Sequence, residues 1–90
     1  MNITTNKPEE AVGQLANALI VSVGKAMGKD FILANIDAAS RVMKAELTAF
    51  IWGEEYADER DCYVRGTISM DWIMQSLTAS CVLKIKEATR

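Results

Sequence analysis

The 90-residue sequence contains no histidine, one proline and two cysteines. Without histidine, the chain lacks the side chain most often used as a general base near neutral pH and as a zinc ligand. No apolar run reaches the roughly 18 residues of a membrane span, and the first residues lack the basic start and apolar stretch of a signal peptide. We therefore expect a cytoplasmic protein that has no membrane partner.

The two cysteines, Cys62 and Cys81, do not form a recognisable motif. Their wide separation matches neither a zinc site nor a redox motif of the C-x-x-C type. A disulfide would be unusual in a chain without an export signal. We expect no metal and no cofactor, and we expect Cys81 to be a small core residue.

The net charge and the hydrophobic content indicate a folded domain rather than a protein that coats nucleic acid. Ten basic and twelve acidic residues leave a net charge of −2, so duplex nucleic acid is not an expected partner. Half of the residues are hydrophobic, which excludes a disordered chain. By size scaling, a chain of 9.9 kDa buries about 64% of its unfolded surface, enough for one small core. We expect a single domain over 1–90.

A first helix is predicted over 8–27, preceded by an extended arm at 1–7. Pro8 and the two glutamates after it suit a first helical turn, and Gly28 suits the position that follows the last turn. Gly13 and Gly24 interrupt this helix, and we expect them to mark close contact with a neighbouring helix. Its apolar residues recur at three- and four-residue steps: Val12, Leu15, Ala16, Leu19, Val23, Ala26 and Met27.

A second helix is predicted over 31–52, with Asp30 as its N-cap. The short joint after the first helix predicts an antiparallel hairpin. Two apolar stripes run along the second helix. The main stripe contains Ile32, Leu33, Ile36, Met43, Leu47, Phe50 and Ile51, and the second contains Phe31, Ala38, Val42, Ala45 and Ala49.

The segment 53–67 has two readings. It continues the second helix toward residue 65, which we favour, or it breaks at Gly53 into a loop with a short strand at 62–64. Its carboxylates lack the spacing of a calcium loop, so we expect a solvated acidic patch that steers a basic partner. The patch consists of Glu54, Glu55, Asp58, Glu59 and Asp61.

A third helix is predicted over 69–89, with Ser69 as its N-cap and Asp71 in its first turn. The predicted fold class is therefore all-α, a helical hairpin plus a C-terminal helix in a small bundle. The buried stripe of the third helix should contain Met70, Ile73, Met74, Leu77, Cys81, Ile85 and Ala88.

The apolar surface exceeds what three helices can cover. Trp72 and Leu83 fall opposite the main stripe of the third helix, and Trp52 falls outside the main stripe of the second. We expect these side chains, together with Val42, to contact a partner protein or a second copy of the chain.

Two functions remain open from the sequence. The first is a non-enzymatic interaction protein, an inhibitor or regulator that occupies the surface of a partner. The alternative is a homo-oligomer that sequesters a small anion, such as a nucleotide, between subunits, with Lys25, Lys29 and Arg65 as candidate anion-binding residues. We expect no enzyme, since the sequence shows no activated thiol, no cofactor loop and no paired carboxylates in an apolar setting.

Overall fold

The computed structural model describes residues 7–90, which form helices joined by short turns. The all-α prediction is confirmed. Of the predicted arm, all but Lys7 lies outside the described residues. A 3-10 turn at Pro8–Glu10 precedes five helices: α1 (Val12–Met27), α2 (Lys29–Ala34), α3 (Ile36–Trp52), α4 (Ala57–Val64) and α5 (Met70–Ala88).

The three long helices, α1, α3 and α5, form the bundle. α1 and α3 run antiparallel, because Pro8, just before α1, and Ile51, near the end of α3, line one groove. α5 packs against both and is antiparallel to α3, because Phe50 and Ile73 line one crevice whereas Ala38 and Ala88 line another. The predicted hairpin with a C-terminal helix is confirmed.

The core lies where these three helices meet. The apolar stripes predicted for α1 and α5 supply most of it, although Ala26 and Ala88 are exposed. Burial, followed by the charge of Glu46, raises the pKa of the Cys81 thiol to about 12, so this cysteine stays protonated at neutral pH. The largest fully buried side chains of the helices are Leu15, Leu19, Val23, Phe50, Ile73, Leu77, Cys81 and Ile85.

Gly28 forms the joint between α1 and α2. Its φ of 90° is one that L side chains rarely adopt, and its N–H donates to the Gly24 carbonyl at 2.8 Å. α2 then begins at Lys29, so Asp30 lies inside the first turn. The prediction of Asp30 as an N-cap is wrong because the chain turns one residue earlier.

Asn35 divides the predicted second helix into α2 and α3. Its backbone leaves the helical region, at φ −125° and ψ 36°, and its side-chain amide donates to the Phe31 carbonyl at 3.0 Å. Asparagine favours such breaks because its side chain competes for backbone groups. The break turns Leu33 and Ile36 outward, so both are exposed and the prediction that they join the main stripe is wrong.

The predicted break at Gly53 is confirmed, because α3 ends at Trp52. The favoured continuation of the second helix is therefore wrong, and so is the short strand, because residues 62–64 form the end of α4. The Arg60 guanidinium donates from Nη1 to the carbonyls of Phe50 and Gly53, each at 2.9 Å. These bonds satisfy carbonyls at the end of α3 and fold α4 back beside it.

The interior glycines of α1 allow a stability prediction. A Cβ at Gly24 would meet no atom within 4 Å, so the expected close contact with a neighbouring helix is absent within residues 7–90. We expect Gly24→Ala to raise the free energy of unfolding by about 0.5–1 kcal/mol, because alanine loses less backbone entropy in a helix. Urea denaturation followed by circular dichroism measures the change.

Gly53→Ala is the matched control. A Cβ there would lie 2.8 Å from the Ala49 carbonyl oxygen, so this substitution should lower the free energy of unfolding. Loss of stability in Gly24→Ala would contradict the open surroundings described for that position.

Candidate interaction surfaces

A groove with Trp52 on its rim lies where α4 folds back toward the start of α1. Trp52 is the last residue of α3, and its side chain is 63% exposed. The groove has a volume of about 700 Å³ and is lined by Pro8, Ile51 and Val64, among others. We call it the Trp52 groove.

Carboxylates make the Trp52 groove acidic. Glu9, Asp58 and Asp61 line it, and all three are exposed. Arg60 also lines it, but its guanidinium bonds backbone carbonyls. Asp61 is 3.3 Å from the Arg65 guanidinium, and such an exposed pair contributes little to stability. The groove therefore joins an exposed aromatic ring to a negatively charged wall.

The structure divides the predicted acidic patch into parts. Asp58 and Asp61 line the Trp52 groove. Glu59 lies on the other side of α4, half-buried in a crevice that Trp72 also lines. Glu54 is exposed in the turn before α4, and a Glu55 carboxylate oxygen is 3.9 Å from Lys84 Nζ.

The outer face of α5 carries the other two predicted anchors. Trp72 is 49% exposed and Leu83 is 60% exposed. By helical spacing both fall opposite the buried stripe of α5, although Trp72 also lines the crevice that holds Glu59. Val42, the fourth predicted interface residue, is half-buried and packs against the core. The exposed anchors therefore belong to two surfaces, the Trp52 groove and the outer face of α5.

The three candidate anion-binding residues do not come together. Lys25 is in the last turn of α1 and Lys29 is the first residue of α2. Arg65 follows α4, whose last residue, Val64, lines the Trp52 groove with Pro8 near the opposite end of α1. The 16 residues of α1 span about 24 Å, so within one copy of the chain these cations do not converge on one small anion.

A buried polar cluster is the feature that sequence reasoning missed. The Glu46 side chain is buried, yet it accepts a hydrogen bond from Tyr56 Oη at 2.5 Å and another from Lys84 Nζ. These contacts join α3, the turn before α4, and α5. The signal in the sequence was a glutamate between Met43 and Phe50, on the buried side of the second helix.

The electrostatics of this cluster keep Glu46 charged. Burial alone would raise its pKa, but hydrogen bonds from Lys84, Tyr56 and Ser80 outweigh burial and lower the pKa. Burial and the bond to Glu46 raise the pKa of Tyr56. Because its oxygens are buried and already bonded, Glu46 is a structural carboxylate rather than an accessible base.

The described residues hold no grouping of cysteine, aspartate and glutamate side chains suited to a metal ion. In the same range, no helix combines the length and the apolar character that crossing a bilayer requires. No family model, no curated protein and no solved structure matches this chain. The two exposed surfaces are therefore the features of the molecule that bear on its function.

Proposed function

We propose that this chain is a non-enzymatic interaction protein, an inhibitor or regulator that occupies the surface of a partner protein with its Trp52 groove. The observation that carries the proposal is a tryptophan that remains 63% exposed in a small domain, at the rim of an acidic groove. Exposed tryptophan side chains are frequent anchors of protein interfaces because they bury a large apolar area.

The groove specifies the chemistry of the partner. Trp52 and Val64 offer apolar surface, whereas Glu9, Asp58 and Asp61 offer negative charge. A complementary surface would insert an apolar side chain and place lysine or arginine around it. The acidic wall would then act mainly on the rate of association and on the choice of partner.

Sequestration of an anion by a homo-oligomer stays the alternative, without a specific observation in its favour. Lys25 and Lys29 lie at the other end of α1 from Arg65, and the Trp52 groove has the wrong charge for an anion.

We expect Trp52→Ala to weaken partner binding without unfolding the protein. Tagged wild-type and variant chains would be cross-linked in the cells of origin, and the captured proteins compared by quantitative mass spectrometry. A protein lost from the Trp52→Ala sample would be purified and titrated by calorimetry. We expect binding at least about 30-fold weaker for the variant, equivalent to the 2 kcal/mol of an anchor residue.

Leu33→Ala is the matched control, since Leu33 is 59% exposed on α2 and does not line the Trp52 groove. Asp58→Lys should slow association and reduce its dependence on salt. Equal capture by the wild type and Trp52→Ala would refute the proposal. Inhibition or regulation would be measured as a change in the activity of the purified partner.

A further inference from the structure

We infer that the outer face of α5 is a self-association site on which two copies of the chain pair antiparallel. This inference does not depend on the proposed function, because the Trp52 groove is formed by other helices. At about 100° per residue, Trp72, Ala79 and Leu83 fall within a narrow strip opposite the buried stripe of α5. All three are exposed.

The side chains along this face are ordered so that the face can pack against an antiparallel copy of itself. Trp72 lies near the start of α5 and Leu83 about 16 Å farther along. When two copies run antiparallel about an axis between Ser76 and Ala79, each Trp72 meets the Leu83 of the other copy. The small side chains at the axis permit close approach, so both large ones can pack at the two ends.

Charge supports the same register. Asp71 and Lys86 lie on one flank of the strip, and both are exposed. In an antiparallel pair, each flank faces the same flank of the other helix, so each Asp71 approaches the Lys86 of the second copy. Glu87, on the opposite flank, falls near the uncharged Ser69. A parallel pair would instead bring Lys86 to Glu87 but would leave Asp71 facing no cation of the second copy, and it would align the two helix dipoles unfavourably.

The size of the face indicates a reversible dimer. One helix face is smaller than the roughly 800 Å² per partner of a standard stable interface. We therefore expect monomer and dimer to exchange with protein concentration. Sedimentation velocity over the micromolar range should show the mass rising from 9.9 kDa toward twice that value.

Charge reversal tests the antiparallel register. Asp71→Lys and Lys86→Glu each place like charges at both ends of the pair, and each should weaken self-association at least about tenfold, the effect of 1.4 kcal/mol. The double variant Asp71→Lys/Lys86→Glu restores both attractive pairs and should recover the dimer. An equimolar mixture of the two single variants should form a heterodimer, although neither associates alone.

Leu83→Asp tests the apolar contact at an exposed position, and circular dichroism verifies that each variant is folded. Trp52→Ala is the matched control and should dimerise as the wild type does. A wild type that stays monomeric over the whole concentration range would overturn the inference. So would dimerisation unaffected by Leu83→Asp, or a folded double variant that fails to recover it.

Discussion

Replacing Phe50 by alanine is expected to lower the free energy of unfolding by about 3–5 kcal/mol. Phe50 is completely buried where α3 meets α5, and its ring packs edge-to-face on Tyr56 with centroids 6.2 Å apart. Alanine would leave a cavity in a closely packed core, and it would remove the aromatic contact that supports the turn before α4. For a small domain this is a large part of the total stability.

Urea denaturation followed by circular dichroism measures this loss as a shift of the midpoint. Phe50→Leu is the matched control, since it fills most of the volume and should lose less than about 1.5 kcal/mol. The Phe50 carbonyl that accepts from Arg60 is retained in both variants. A loss below 1 kcal/mol in Phe50→Ala would mean that α3 and α5 do not pack as described.

The sequence was sufficient to predict the elements whose apolar period is uninterrupted. The buried face of α5 could be predicted from its spacing, and Ser69 caps the helix as expected, with its hydroxyl accepting from the Trp72 N–H. The exposure of Trp72 and Leu83 followed from the same helical period. Local spacing is enough in such a helix because one face packs against the bundle along its whole length.

Prediction from the sequence failed where a single side chain forms hydrogen bonds to backbone groups. It also failed where a contact with a residue farther along the chain determines the course of the backbone. The break at Asn35 depends on a single amide that bonds the Phe31 carbonyl. The path after Gly53 depends on Arg60, seven residues later, which bonds carbonyls at the end of α3. Neither the break at Asn35 nor the turn after Gly53 is visible in the spacing of apolar residues. Because the turn is not foreseen, the sequence predicts the acidic residues of α4 as one patch, although they lie on two sides of the helix.

The Glu46 cluster could not be predicted because its donors come from separate elements. Tyr56 and Lys84 are 10 and 38 residues away from Glu46 along the chain. A lone glutamate on an apolar stripe is a visible anomaly, but its partners are brought together only by the fold. Burying a carboxylate without partners would be costly, so the sequence position of Glu46 carries information that only tertiary structure explains.

Replacing Lys84 by methionine is expected to lower the free energy of unfolding by about 2 kcal/mol at pH 7. Removal of one partner from a fully buried ion pair costs about 3–5 kcal/mol, because the remaining charge is left without compensation. The cost here is smaller because the Lys84 side chain is 43% exposed and because Tyr56 still donates to Glu46. Lys44→Met is the matched control, an exposed lysine of α3 that should change stability by less than about 0.5 kcal/mol.

The defect of Lys84→Met should depend on pH. The pKa of Glu46 in the folded wild type lies below its ordinary value of 4.5, so this carboxylate stabilises the fold above that pH. The contribution is lost as pH falls below 4.5 and through the lowered pKa, where Glu46 takes up a proton. Without Lys84, less compensation opposes burial, so Glu46 should be protonated at a higher pH in the variant. The two proteins should therefore converge in stability in acid.

Urea denaturation at a series of pH values tests this coupling directly. The gap between the wild type and Lys84→Met should be widest near neutral pH and should close below pH 4.5, whereas the Lys44→Met gap should stay constant. Glu46→Leu/Lys84→Met removes both charges and should regain most of the stability lost by Lys84→Met, since an apolar pair carries no uncompensated charge. A gap independent of pH would contradict the coupling of Lys84 to the Glu46 carboxylate.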